Sequence, residues 1–275
     1  MDFRIVVDSC CELVDELKEF GVKRVPLTMR VGDLEFRDDE NLDLGHFIKV
    51  MNSSPNPPTS SCPSPAEYAD IFKESNKTTF VVTLSNKLSG SYNSANLAKS
   101  MVEEEGYDVH VFDSKSASAG EILVALKIKE LIEKGLPKAA IIEKVEHFIN
   151  NMRTFFVLEN LNTLVKNGRI NKIVAGLAQV LNIRAVLGSD DGNISFFARA
   201  RGAKMAVEKL LDMIKKYGED TKDKILVVTH CNNHEYAKML CDKAKELFNF
   251  KKIYLAPTGG LSSMYANEGG IIIAF

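Results

Sequence analysis

Apolar and polar positions follow two rhythms along this chain. "FRIVVDS", "TTFVVTLS", "YDVHVFDS" and "DKILVVTH" are short, unbroken apolar runs, which predict strands buried on both faces. Between them lie segments with helical spacing. "CELVDELKEFG" places Leu13, Leu17 and Phe20 on one face and stops at Gly21. "LGHFIKVMNSS", "GSYNSANLAKSMVEEEG", "AGEILVALKIKELIEKG", "PKAAIIEKVEHFINNM", "LNTLVKNGRI", "NKIVAGLAQVLN", "GAKMAVEKLLDMIKKYG" and "NNHEYAKMLCDKAKELF" read the same way. Strict alternation marks "VKRVPLTMRVGDLEFRD", with a turn at Gly32-Asp33, and the hairpin "IRAVLGSDDGNISFFARA", turning at Asp191-Gly192. "TFFVLEN", "KIYLAPT" and "GGIIIAF" complete the strands, and "PNPPTSSCPSP" is a stiff proline- and hydroxyl-rich loop.

Strand alternating with helix predicts an α/β fold. We read two α/β lobes, residues 1–152 and 153–275. The N-terminal lobe carries a mainly parallel sheet with helices on both faces, and the C-terminal lobe is mixed α/β. No internal repeat or low-complexity segment interrupts the pattern.

Composition narrows the function classes. The 275 residues, 45% hydrophobic, are enough for one large domain or two small ones with a real core. Lys plus Arg is 35 and Asp plus Glu is 37, so the net charge is 35 − 37 = −2, with no long block of one sign. Nothing in that balance points to nucleic acid or to an anionic membrane surface. The five cysteines, Cys10, Cys11, Cys62, Cys231 and Cys241, are odd in number and form no CxxC pair, which fits a reducing cytoplasm better than a disulfide framework. "MDFRIVVDSC" lacks the layout of a signal peptide, and no apolar run approaches the ~18 residues of a membrane span. The expectation is a cytoplasmic protein without stable membrane insertion.

Polar groups gather where strands end. Asp8-Ser9, Ser85 with Ser89-Gly90-Ser91, and Asp113-Ser114 each follow an apolar run of the first lobe. Ligands of open parallel sheets lie beyond the carboxyl ends of the strands, so these turns can meet at one crevice. Thr59-Ser60-Ser61, between prolines, can join them. The residues alone leave two readings, helix caps or ligand donors. Capping suits Asp8, Ser9 and Asp113; the stiff loop beside a glycine turn favours a ligand for Ser60, Ser61 and Ser89. Gly90 would let backbone N–H groups approach an anion. Arg169 follows Gly168 just past a helix, as a surface cation or a cation at the site.

Other chemistries find less support. His230 and His234 are four apart but straddle a strand end and a helix start, with no third ligand, so no metal site is expected. Neither GxSxG nor GxxxxGK[ST] occurs, and the glycines of "GLSSMYANEGG" lack the GxGxxG spacing. None of the five histidines sits in a strand-end turn that could serve Ser89 as a base.

Taken in order, "RIVVDSCCEL", "PPTSSCPSPAEY", "LSNKLSGSYNSA", "VFDSKSASAG", "LENLNTLVKNGRI", "LAQVLNIRAVL" and "RARGAKMA" resemble the DegV family of bacterial fatty-acid-binding proteins over essentially the whole chain. The resemblance implies a long-chain fatty acid held between two lobes, tail buried and carboxylate at the hydroxyl-rich loops. It assigns Thr59, Ser60, Ser61, Ser89 and Gly90 to the ligand, with Arg169 and Tyr265 beside them. It also implies a separate fatty acid kinase, related to dihydroxyacetone kinases, that converts the presented acid to an acyl-phosphate. Arg199, Arg201 and Lys204 would face that partner. No catalytic residue, metal or cofactor other than the lipid is implied. There are three departures: Thr59-Ser60-Ser61-Cys62 stands where the family usually has Thr-Thr-Ser-Gln, Ser91 replaces a threonine, and Tyr265 occupies the position of a histidine in the C-terminal run. The rival reading is an enzyme or kinase subunit acting on a small polar substrate such as a short ketose.

Overall fold

The computed structural model describes residues 2–170 and 183–275. The helix expected over "NKIVAGLAQVLN" lies outside the described residues. The chain opens with β1 (Phe3–Asp8), α1 (Asp15–Phe20), β2 (Lys23–Val25), β3 (Thr28–Val31), β4 (Leu34–Arg37), α2 (Leu44–Ser53), β5 (Thr59–Ser61), α3 (Pro65–Lys73) and β6 (Thr78–Thr83). It continues with α4 (Ser91–Glu103), β7 (Val109–Asp113), α5 (Ala119–Glu133), α6 (Lys138–Asn151), β8 (Thr154–Val157) and α7 (Asn162–Lys166). After the undescribed residues come β9 (Ile183–Asp190), β10 (Asn193–Arg201), α8 (Gly202–Tyr217), β11 (Ile225–His230), α9 (His234–Leu247), β12 (Lys252–Pro257), α10 (Gly260–Ala266) and β13 (Ile271–Ala274).

Two sheets organise these elements. A parallel sheet runs β2-β1-β6-β7, and a mixed sheet runs β10-β9-β8-β13-β11-β12. The fold is therefore mixed α/β, with a parallel sheet built within residues 3–113 and a mixed sheet built within residues 154–274. A small antiparallel sheet, β4-β3-β5, flanks the first.

The apolar runs bury both faces, and the pleat sorts their side chains. Val6 and Val81 join Tyr68, Phe72 and Ala98 beneath α3 and α4, while Ile5, Val7, Phe80 and Val82 face the other way. In the mixed sheet, Leu226, Val228, Ile271 and Ile273 face α8 and α9, whereas Val227, Ile272, Phe156 and Leu187 face the same inner layer as Ile5 and Val7. One apolar layer is thus shared by both sheets. Helix α5 lies in it, packed against β1, β6, β11 and β13. That position explains the first half of its sequence: Ile122, Leu123, Val124, Ala125 and Ile128 are all buried, while Lys127, Lys129, Glu130 and Glu133 reach the surface further along.

The structure revises three local readings. Thr59–Ser61 is a strand, pairing with β3 through Met29↔Ser60, not an irregular loop. The first helix begins only at Asp15, after a turn that Asp8 stabilises. Residues 260–266, where the sequence pattern predicts no element, form α10. The Asp191-Gly192 hairpin turn is present, with both residues at positive φ (47° and 85°).

Because α5 belongs to the core of both sheets, Ile122→Ala should destabilise the whole molecule by ~2–5 kcal/mol. Denaturant unfolding should stay a single transition with a lowered midpoint. A separated transition for each sheet would mean that the shared layer does not couple them.

Candidate functional site

The inner layer opens into a cavity of about 310 Å³, within the range of ligand pockets. Its apolar wall comes from both sheets and from α10: Leu84, Phe156, Leu158, Leu164, Leu261 and Ile272. Its polar wall is built where β5, the turn after β6, the end of α7 and α10 converge.

Each polar group is placed by a local rule. On β5 the two-residue period turns Ser60 to the same side as its pair partner Met29, which is fully buried. The Ser60 hydroxyl meets the Tyr265 hydroxyl at 3.0 Å, closing β5 against α10 across 205 residues of chain. Thr59 and Ser61 are exposed; Ser61 still borders the cavity, and Thr59 does not. In the turn after β6, the Ser91 amide donates to Ser89 Oγ at 3.2 Å, and the two hydroxyls lie 3.1 Å apart. Gly90 has an ordinary negative φ of −75°, so backbone freedom is not its reason. A Cβ there would sit 2.9 Å from Cys62 Sγ, so glycine lets the turn come close to the residue after β5 without displacing that thiol. Arg169 borders the cavity with its Nε donating to the Leu88 carbonyl at 3.1 Å and a second nitrogen donating to the Asn167 carbonyl. Of the residues expected at the site, Ser60, Ser61, Ser89, Gly90, Arg169 and Tyr265 share one cavity.

Arg199, Arg201 and Lys204 stand apart from that wall. They are exposed at the end of β10 and the start of α8, and none makes a salt bridge among the described residues. Arg199 lies over the Phe196 ring, 5.9 Å from its centroid. His230 is nearly buried, its Nδ1 accepting from the Asn233 amide, with the His234 ring beside it. No group of three His, Cys, Asp or Glu among the described residues is placed to hold a metal ion.

Sequence reasoning misses a set of buried carboxyls behind the cavity. Asp8 does not cap a helix: its two oxygens accept the Cys10 amide (3.1 Å) and the Leu84 amide (2.9 Å), tying together two turns that border the cavity. Burial pushes its pKa up to about 6, against the pull of the Leu84 amide. Glu121 of α5 is fully buried, and neither carboxyl oxygen has a hydrogen-bond partner among the described residues. Burial, then the nearby Asp8, push its pKa well above the ordinary glutamate value. Glu12 accepts from Ser118 Oγ at 2.7 Å and from the Gly259 amide at 3.1 Å, and burial raises it to about 7. Ser118 itself is strained, with φ 51° and ψ −113°, and its hydroxyl also meets Thr229 at 2.7 Å. Nothing in the local sequence distinguishes Glu12 or Glu121 from surface glutamates, because their burial depends on elements far along the chain.

The raised Glu12 has a measurable consequence. Between about 4.5, the ordinary value for a glutamate, and about 7, the folded chain holds a proton that the unfolded chain has lost. Its contribution favours folding on the acid side and is lost as pH rises through about 7. Relative to Glu12→Gln, the wild type should lose ~2–3 kcal/mol of stability between about pH 5 and pH 8. Denaturant midpoints of the two proteins across that range test this; parallel curves would contradict it.

Comparison with known proteins agrees with this architecture. A family model described as "Uncharacterised protein, DegV family" matches residues 2–275. A DegV domain-containing protein of Streptococcus pyogenes serotype M18 is 36% identical over 281 residues, covering 100% of this chain and 99% of the relative. The crystal structure of a DegV family protein from Ruminococcus gnavus, refined with vaccenic acid, superposes with a TM-score of 0.95 at 40% identity, covering 100% of both chains. The Streptococcus pneumoniae Fatty Acid Kinase (Fak) B3 protein loaded with linoleic acid superposes with a TM-score of 0.92 at 32% identity, covering 100% of this chain and 99% of that one. With a match across nearly its whole length, this chain belongs to the DegV family.

Proposed function

We propose that the protein is a fatty acid carrier. A long-chain acid lies in the shared apolar layer, and its carboxylate meets Ser60, Ser61, Ser89 and Tyr265, with Arg169 supplying positive charge nearby. The two lobes, 1–152 and 153–275, grip it between them. The observation that carries this reading is one cavity whose wall is apolar on both sheets and hydroxyl-rich where four elements converge. The fatty acids held by the Ruminococcus and Streptococcus relatives support it.

The energetics suit a lipid. At ~0.8 kcal/mol per methylene, a C16 chain offers roughly 12 kcal/mol before the costs of association. The carboxylate then needs only enough donors to avoid an unpaired buried charge. The rival reading, chemistry on a small polar substrate, finds little support in this wall. Among the described residues its charged members are Lys115 and Arg169, and none is a His, Asp or Glu that could act as a base for Ser89. The carrier works in the cytoplasm and hands the acid to a separate kinase, related to dihydroxyacetone kinases, for conversion to an acyl-phosphate. Exposed Arg199, Arg201 and Lys204, with exposed Met205 beside them, suit the docking of that partner.

Two measurements test this. The pair Ser60→Ala and Ser89→Ala should leave the fold intact and weaken palmitate binding by ~1–3 kcal/mol in calorimetry, the size of lost hydrogen bonds to a charged acceptor. Wild-type affinity would remove the head-group assignment, and a polar metabolite found by mass spectrometry in gently purified protein would favour the rival. Arg201→Glu should lower acyl-phosphate formation with the cognate kinase while palmitate binding is unchanged. An unaltered rate at several salt concentrations would place the docking surface elsewhere.

A further inference from the structure

Helix α10 brings Leu261, Ser262, Tyr265 and Ala266 to the cavity, yet its first turn has no cap from its own segment. Three successive amides there are held by carboxylates from the other end of the chain. The Gly259 amide donates to Glu12 Oε1 at 3.1 Å, Gly260 to Asp38 Oδ1 at 2.9 Å, and Leu261 to Asp38 Oδ2 at 3.0 Å. Glu12 and Asp38 are 6% and 2% exposed, and neither borders the cavity. Gly260 is shaped for this contact: a Cβ would lie 2.6 Å from Asp38 Oδ1 and 2.5 Å from Leu42 Cδ2. Four residues beyond Leu261, Tyr265 makes its hydrogen bond to Ser60.

We propose that Asp38 and Glu12 are positioning residues for ligand retention: they seat α10, and through it set Tyr265 against Ser60, without touching the ligand. The inference rests on the cavity being the fatty acid site.

The two carboxylates are not equivalent, and their partners say why. Both oxygens of Asp38 face backbone N–H groups, which can only donate. An amide nitrogen in place of either oxygen would leave one N–H facing another donor, so an asparagine cannot reproduce the two contacts of Asp38. One oxygen of Glu12 faces Ser118, a hydroxyl that can donate or accept. If Glu12 gains a donor, the Ser118 proton can turn to Thr229 Oγ1, 2.7 Å away, and the chain of hydroxyls reverses without a lost bond.

The test uses the full-length, delipidated protein. Palmitate affinity is measured by calorimetry, and amide hydrogen exchange is followed at Gly260 and Leu261 without ligand. Asp38→Asn should weaken binding about tenfold or more and speed exchange at both amides. Glu12→Gln should stay within about twofold of wild type, although it removes the same charge. Asp38→Asn combined with Tyr265→Phe should cost less than the product of the separate losses, since both act through one contact. Equal losses in Asp38→Asn and Glu12→Gln, or independent effects of Asp38 and Tyr265, would overturn the proposal. Should Asp38→Asn fail to fold, Glu12→Ala, which deletes one amide acceptor outright, should weaken binding several-fold where Glu12→Gln does not; equal affinity of the two would overturn it. If wild type binds no palmitate, the fatty acid reading falls, while the exchange rates still uphold or overturn the seating of α10.

Discussion

The architecture depends on one constraint: a single apolar layer must serve two sheets. Strands of both sheets direct alternate side chains into it, and the buried first half of α5 packs within it. Interiors of this kind are close-packed, so space for a ligand must be left by the arrangement of the elements and not by loose filling. Here the space lies beyond α5, where Leu84 and Ala117 from the first sheet's turns face Phe156 and Ile272 from the second sheet. A cavity formed between two sheets takes its wall from segments spread across nearly the whole sequence, from Cys10 to Ile272.

That origin explains the buried carboxyls. Chain ends and turns that converge on an apolar layer bring unpaired backbone amides with them, and buried amides must find acceptors. Asp8 satisfies two turn amides, Asp38 two helix amides, and Glu12 one amide and one hydroxyl. Each carboxylate is costly to bury, as the upward pKa directions of all three show. Each is retained because it joins segments that no local hydrogen bond could join.

The same distinction separates what is legible in the sequence from what is not. β1, β6, β7 and β11 can be read because an unbroken apolar run of that length, bounded by polar turns, suits a strand covered on both faces. Ser89, Gly90 and Ser60 can be found because strand ends of a parallel sheet converge by topology. β5 escapes such a reading: three residues between prolines carry no periodic signal, and the strand exists only because β3 offers it an edge. α10 escapes it because two glycines and two serines argue against a helix, and its first turn is held by residues more than two hundred positions away. Gly90 draws notice from sequence as a turn glycine, and the structure adds a contact that no local pattern shows: a Cβ there would press on the adjacent Cys62.

The polar wall also bears on how a carrier can release its cargo. A carboxylate locked in a dry ion pair with an arginine would be strongly held and slow to leave, because separating buried opposite charges is expensive. In this wall Arg169 is already engaged with two backbone carbonyls, which fixes its plane and spreads its charge over neighbouring peptide groups. Ser60, Tyr265 and Ser89 of the wall are neutral hydroxyls with partners already in place, Ser60 with Tyr265 and Ser89 with the buried Ser91 behind it. On the carrier reading proposed above, a departing carboxylate would let each hydroxyl return to its neighbour, so no donor would be stranded in the emptied site. On that same proposed reading, affinity would reside mainly in the buried tail and the head group would remain exchangeable.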